Sequence, residues 1–312
     1  MSEFLLNNGT QRVALVTGAT GFVGSHLARR LVQDGWQVHI VSREKSHLPD
    51  ATEFGQMTNH IYAGTTESMI AVVAKAKPDV VFHLASLFLA QHEAKNVESL
   101  IQSNVLFGNQ LLEAMRVNEV SRLINTGTSW QHYNNEDYNP VCLYAATKQA
   151  FEAILEYYVQ ACGVKAITLK LFDTYGPNDP RPKLFHLIKK AALSGDTLDM
   201  SAGEQLIDIV HIDDVVDAYL IAALRLIGGK VKSHEKYAVS SNFPISLQKI
   251  VDFYSDAIGR SVSVNWGARP YRFREVMTTW SNGDVLESWK PRVSLREGLE
   301  KLVSENEQGK GS

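Results

Sequence analysis

Two periods of hydrophobic spacing alternate along this chain. Short apolar runs at Val13 to Val16, Gln37 to Val41, Val80 to Leu84, Arg122 to Asn125 and Ala166 to Leu171 read as strands. Between them the apolar residues fall three and four apart, which predicts helices. One opens at Ser25 and ends at Gly35, one spans Thr66 to Ala76, a long one runs from about Val97 to Asn118, and another covers Tyr144 to Cys162. Strands and helices in alternation imply a doubly wound parallel sheet with helices on both faces.

After Phe172 the pattern changes. Pro177, Pro180 and Pro182 cluster, a helix follows over Leu184 to Ser194, and Gly203 marks a turn. Ile207 to Ile212 reads as a strand, with Asp213 as cap of a helix from Val215 to Ile227. Ser246 opens a further helix ending at Gly259, and Ser294 to Glu297 has the form of a capping box for a last one. The simplest division is a larger α/β domain of residues 1–171 plus 205–227, and a smaller α/β domain of residues 172–204 plus 228–312.

Composition narrows the function classes. At 312 residues, 45% hydrophobic and 21% charged, the chain can bury a large core like an ordinary globular protein. A net charge of −3 makes no electrostatic case for nucleic acid or an anionic membrane. Cys142 and Cys162 are too few for a disulfide framework or a zinc site. No apolar run reaches membrane-spanning length and residues 1–11 lack a signal-peptide pattern, so the cytoplasm is the expected address.

The first chemical signal lies between the first strand and helix, in Gly18-Ala-Thr20-Gly21-Phe22-Val23-Gly24. Gly18 permits a tight turn, Gly21 lets backbone approach a pyrophosphate, and Gly24 lets the helix pack closely on the strand. The helix N-terminus offers free N–H groups to the phosphates. Strand two ends in Ser42-Arg43, where NAD-binding proteins place an acid for the ribose 2′-hydroxyl. A hydroxyl and a guanidinium suit a 2′-phosphate instead, so NADP(H) is the expected cofactor.

The second signal is Tyr144-Ala-Ala-Thr-Lys148. Four residues apart on a helix, the phenol and ammonium share a face. A nearby lysine charge favours the phenolate and would draw the tyrosine from its ordinary pKa of about 10 toward useful acid–base strength. His83 and His211, inside apolar strands, read as satisfied core residues, and Asp213-Asp214 as a helix cap.

Taken together, the glycine-rich turn, Asn125-Thr-Gly-Thr-Ser129 after a strand, and Tyr144-x-x-x-Lys148 resemble the extended short-chain dehydrogenase/reductase superfamily. The likeness extends through His83-Leu84-Ala85-Ser86, Leu171 to Pro177 and Val210 to Val215. Within it the layout is similar to enzymes acting on nucleoside-diphosphate sugars, and most of all to 4-keto-6-deoxyhexose reductases of the CDP-abequose and paratose synthase type.

That resemblance implies a Rossmann-type fold, with Leu84, Ala85 and Ser86 beside the cofactor and Lys148 on the nicotinamide ribose. Thr128 would hydrogen-bond the substrate oxygen, with Ser129 its neighbour, and Tyr144 would be the proton donor. Asp173 stands where the family usually has asparagine in contact with substrate. Arg272-Phe-Arg-Glu275 matches the motif whose arginine binds the diphosphate, and Ile207 replaces a second arginine common among relatives. Diphosphate binding would then rest on Lys183, Arg269 and Arg272. Trp130, Gln131 and His132 are candidates to line the sugar. Helices 97–118 and 144–162 would form the dimer interface usual in the family, although burial against the sheet explains their apolar faces equally well.

The implied reaction is hydride transfer from NADPH to the C4 ketone of a nucleoside-diphosphate 4-keto-6-deoxyhexose, a step of deoxysugar synthesis. The dehydratases of the superfamily carry Asp-Glu after the catalytic threonine, and Ser129-Trp130 stands here instead. An NAD-dependent 4-epimerase and a non-catalytic nucleotide sensor or scaffold on the same fold are the alternatives.

Overall fold

The computed structural model describes residues 6–7, 10–44, 55–181 and 183–308. The first half is built from β1 (Val13–Thr17), α1 (Phe22–Gln33), β2 (Gln37–Arg43), β3 (Thr58–Tyr62), α2 (Thr66–Ala76) and β4 (Val80–His83). Then come α3 (Val97–Ile101), a π-helical stretch (Gln102–Leu106), α4 (Phe107–Val117), β5 (Arg122–Thr128) and α5 (Leu143–Cys162). The second half holds β6 (Lys165–Leu171), β7 (Asp173–Tyr175), α6 (Leu184–Ser194), β8 (Ile209–His211) and α7 (Ile212–Ile227). It ends with β9 (His234–Val239), α8 (Leu247–Ile258) and α9 (Leu295–Gln308).

Seven strands form one parallel sheet in the order β9-β6-β5-β4-β1-β2-β3. Order reverses between β1 and β4, which opens a crevice beyond their carboxyl ends. Alternate residues along the strands feed two cores. Ala14, Val16, Phe82, Ile124 and Ile167 pack under α1 and α7, while Leu15, Val81, Leu123 and Ala166 pack under α2, α4 and α5. A third cluster, with Tyr175, Ile188, Met200, Leu247, Val251 and Leu299, is the core of the smaller lobe. No helix among the described residues is long and apolar enough to cross a membrane.

Several sequence readings need revision. The predicted continuous helix from Val97 is interrupted by the π-helical turn, where an extra residue per turn shifts the faces. The strand predicted over Ile207 to Ile212 is two pieces. Leu206–Ile207 pairs antiparallel with Ile245–Ser246, and β8 pairs parallel with β7. Asp208 at the break is 3% exposed and accepts hydrogen bonds from Ser241 N (2.8 Å) and Ser241 Oγ (2.7 Å). Helix α7 is capped by His211 rather than Asp213, whose N–H donates to His211 Nδ1 at 3.3 Å. Asp214 instead accepts from the backbone N–H groups of Arg292 and Val293, both at 3.0 Å, and so ties down the C-terminal segment. His83 is a satisfied core residue, 2.9 Å from Thr17 Oγ1, but buried His211 Nε2 has no partner. Strand β9 lies in the stretch assigned from sequence to the smaller lobe, and its pairing with β6 ties it to the large sheet.

Candidate active site

The switch point of the sheet holds the glycine turn. Gly18 has φ +75°, and a Cβ there would stand 2.6 Å from Ala85 N, so this position needs glycine twice over. A Cβ on Gly24 would meet Gly18 O at 2.1 Å, which is the close helix–strand packing expected of it. Thr20 and Gly21 are exposed at the mouth, Phe22 is buried and Val23 is half-buried. Leu84, Ala85 and Ser86 form the facing arm, where Ala85 N–H donates to Thr17 Oγ1 at 3.2 Å.

This cradle fits a dinucleotide. Helix α1 starts at Gly21 with no side-chain cap and no acid in its first turn, whereas Thr65, His211 and Ser246 cap α2, α7 and α8. Its first N–H groups are therefore left for an anion. Ser42 is buried at the end of β2, and Arg43 is exposed beside it.

Tyr144 and Lys148 lie on the buried face of α5, at 9% and 3% exposure. Burial pushes the Tyr144 phenol well above its ordinary value, opposed by a hydrogen bond with Ser86. The lowering by Lys148 expected from the spacing is not found, and the group stays a neutral acid that can give up a proton when a base arises beside it. Burial likewise pushes Lys148 down to about 8, with Glu152 acting against that shift. Thr128 ends β5, and its hydroxyl oxygen accepts from Trp130 N–H at 3.3 Å, capping the short turn that follows.

The π-helical turn aims Asn104, which the sequence reading missed, into the same region. Asn104 Nδ2 donates to Thr147 Oγ1 (2.9 Å) and to Leu87 O (3.0 Å), and Asn104 Oδ1 accepts from Ser86 Oγ (3.2 Å) and Leu87 N (2.7 Å). It binds the cradle's second arm to the tyrosine helix. An asparagine in an apolar helix face is the only trace of this in the chain.

A cleft of about 630 Å³ opens from this point toward the smaller lobe. Ser129, Asp173, Lys183, Arg269 and Arg272 all line it, so the structure gathers five of the substrate candidates from four separate segments. Thr128 and Tyr144 are not among its lining residues. Phe88 joins them to the cleft, since its ring meets Tyr144 edge-on at 5.0 Å and Trp130 at 5.5 Å. Lys183 Nζ lies 4.9 Å from the Phe88 ring and 3.9 Å from Asp173 Oδ1. Arg272 pairs with both oxygens of Glu275 at 2.9 and 2.7 Å and sits 5.7 Å from the Trp130 ring.

Trp130 and His132 line the cleft as expected, but Gln131 does not. It is 0% exposed and donates to Gln149 Oε1 (2.6 Å) and Glu152 Oε1 (2.8 Å). Phe88, Phe172 and Trp280 are cleft residues that no motif announced, because they come from three unrelated segments.

A parallel sheet with a glycine turn at its switch point, a buried Tyr–Lys pair and an adjoining cleft lined by charged side chains of both signs is the architecture of a dinucleotide-dependent enzyme. The chain belongs to the NAD dependent epimerase/dehydratase family, whose profile matches residues 14–234. CDP-abequose synthase of Salmonella muenchen is 25% identical, over 94% of this chain and 97% of that protein. UDP-glucose 4-epimerase of Mycolicibacterium smegmatis is 27% identical, over 93% of this chain and 96% of that protein. The structure of UDP-glucuronic acid 4-epimerase from Bacillus cereus, in complex with UDP-glucuronic acid and NAD, matches 95% of this chain and 99% of its own. Its TM-score is 0.81 at 24% identity, a likeness of fold.

Proposed function

We propose that this protein reduces the C4 ketone of a nucleoside-diphosphate 4-keto-6-deoxy, or 3,6-dideoxy, hexose with NADPH. The observation that carries the proposal is the make-up of the cleft. Lys183, Arg269 and Arg272 offer cations for a diphosphate, and Ser129 and Trp130, not acids, follow Thr128. Every carboxylate lining the cleft among the described residues is already engaged. Asp173 faces Lys183, Asp179 binds Arg181, Asp199 accepts from Asn265, Asp208 accepts from Ser241, and Glu275 binds Arg272. That leaves no free base behind Thr128 for eliminating water, which speaks against a dehydratase.

A bound nicotinamide supplies the hydride; the protein does the rest. Gly18, Thr20, Gly21, Phe22, Val23 and Gly24 would hold the pyrophosphate, with Leu84, Ala85 and Ser86 opposite. Lys148 would hold the ribose. The Thr128 hydroxyl still has its proton to donate, because its oxygen only accepts from Trp130. Thr128 and Tyr144 together would stabilise the growing oxyanion, and Tyr144 would deliver its proton to it.

Ser42 and Arg43 at the end of β2 support NADPH over NADH. Exposed Glu44, one residue further along the chain, is the group that would favour NADH. A homodimer through the outer faces of α3, the π-helical stretch, α4 and α5 belongs to the same proposal, with Ile101, Leu106 and Tyr157 standing 43%, 47% and 62% exposed there.

The second reading is a 4-epimerase, favoured by the likeness to the M. smegmatis enzyme at 27% identity. One experiment separates them. The protein is given a 4-keto-6-deoxy sugar nucleotide with NADPH or NADH and, separately, UDP-glucose or UDP-galactose with neither. Stoichiometric loss of NADPH, faster than of NADH, is expected. Interconversion of the plain sugars without net consumption of cofactor means an epimerase, and no turnover with tight cofactor binding means a sensor.

A further inference from the structure

One buried carboxylate lies between the proton donor's helix, the turn after Thr128 and the wall of the cleft. Glu152 is on α5, one turn beyond Lys148 and two beyond Tyr144, so all three share a face. Its side chain is 1% exposed. Oε1 accepts from Gln131 Nε2 at 2.8 Å, and Gln131 Oε1 in turn accepts from the backbone N–H of Thr128 at 3.0 Å. Oε2 has no hydrogen-bond partner, yet the ammoniums of Lys236 and Lys170 stand 3.6 and 3.9 Å from it.

Lys170, 6% exposed, reaches on to the cleft. Its Nζ donates to His132 Nε2 at 2.7 Å. An ammonium can only donate, so His132 must carry its proton on Nδ1, which faces Glu136 O at 3.0 Å. Both ring nitrogens are thus used internally, and His132 meets the cleft as a neutral plate stacked 3.9 Å from Trp280. A single carboxylate therefore lies within 4 Å of two ammoniums, those of Lys170 and Lys236, with Lys148 one helical turn away on the same face. Such an arrangement is costly to bury for packing alone.

We infer that Glu152 is a positioning residue of the reaction, whose carboxylate keeps Lys148 charged and anchors the Thr128 turn and the His132 wall. The inference rests on the reading of Tyr144 and Lys148 as the working pair. Other titratable groups do not supply this charge. Facing Glu152 are Lys148 on its own helix, Lys170 on β6, Lys236 and His234 on β9, and His132 on the turn. Facing Lys148 from β4 is His83, which burial holds neutral with a pKa of about 3. Glu152 is the anion that opposes the desolvation of Lys148.

The sign follows directly. A lysine already depressed to about 8 is charged at neutral pH and loses its charge above that value. Removing the carboxylate lowers it further, so function that needs the ammonium is lost from a lower pH upward while acid pH restores it.

The test compares wild type, Glu152→Gln and Glu152→Asp, each labelled with 13C-lysine. The Lys148 resonance is assigned by its loss in Lys148→Arg and titrated without cofactor or substrate. Glu152→Gln should move the Lys148 midpoint down by roughly one pH unit. Glu152→Asp should move it the same way by less, and decides the matter if the glutamine variant does not fold. In turnover on a 4-keto sugar nucleotide, the high-pH limb should follow. Activity should fall about fivefold at pH 8, approach a tenfold loss at higher pH, and stay close to wild type at pH 6. An unchanged midpoint, or a loss of turnover equal at every pH, overturns the inference. If wild type turns over no sugar nucleotide, the functional reading fails, and the titration alone decides whether Glu152 holds the Lys148 charge.

Discussion

The cradle at the switch point and the cleft beside it are built by different means. The cradle is backbone: α1 opens without a side-chain cap, and the shape of the turn depends on missing side chains at Gly18 and Gly24. The cleft is side chain: Lys183, Arg269, Arg272, Trp130 and Trp280 reach it from segments far apart in the chain. A backbone site cannot be changed without disturbing the turn that forms it. A side-chain site can be retuned one residue at a time on an intact fold, which is how one architecture serves many substrates. Tyr144, joined to the cradle through Ser86 and to the cleft through Phe88, stands where the two meet.

The sharpest test of this contrast is at the junction. Tyr144→Phe removes one oxygen and leaves the edge-on contact with Phe88, so melting temperature and cofactor affinity should hold. Turnover should fall by about 10²–10⁴, the usual contribution of a general acid. Near wild-type kcat would remove Tyr144 from its role.

Next in size is Gly24→Ala. The added methyl would fall 2.1 Å from Gly18 O and 2.7 Å from Gly18 C, both backbone atoms that cannot rotate away. A loss of about 3 kcal/mol in unfolding free energy is expected, accompanied by weaker cofactor binding. Denaturant titration and fluorescence measure the two, and a variant as stable as wild type would break the claim that backbone shape governs the cradle.

The smallest effect is expected in the cleft. Arg272 is half-exposed and paired with Glu275, so Arg272→Ala should leave stability within about 0.5 kcal/mol. The KM for a sugar nucleotide should rise about tenfold with kcat nearly unchanged, the mark of binding shared by ground and transition states. Equal KM values would move diphosphate recognition to Lys183 and Arg269.

How much of this was legible from the chain differs between the two regions. The glycine turn sits within a single βα unit, and its three glycines are consecutive signals, so cradle, strand and helix could be read together. The same holds for Tyr144 and Lys148, one helical turn apart. Strand β3 escaped because Thr58–Tyr62 is a largely exposed edge whose polar residues break the apolar signal. His211 hid its cap because histidine is not among the usual capping residues, while Asp213 two positions on is.

What the sequence by itself determined is local: alternation of strands and helices, the turn that strips α1 of a cap, and the shared helical face of Tyr144, Lys148 and Glu152. Each depends on residues within a few positions of one another, where spacing alone sets geometry. Tertiary structure alone decided the rest. It buried Tyr144 deeply enough for desolvation to raise its pKa, where the spacing with Lys148 predicted a lowering. It turned Gln131 inward to hold Thr128, and it stacked His132 on Trp280 across 148 positions of chain. Those outcomes depend on the dielectric and packing around a side chain, which are set by residues remote in sequence and made neighbours only by the closing of the two lobes.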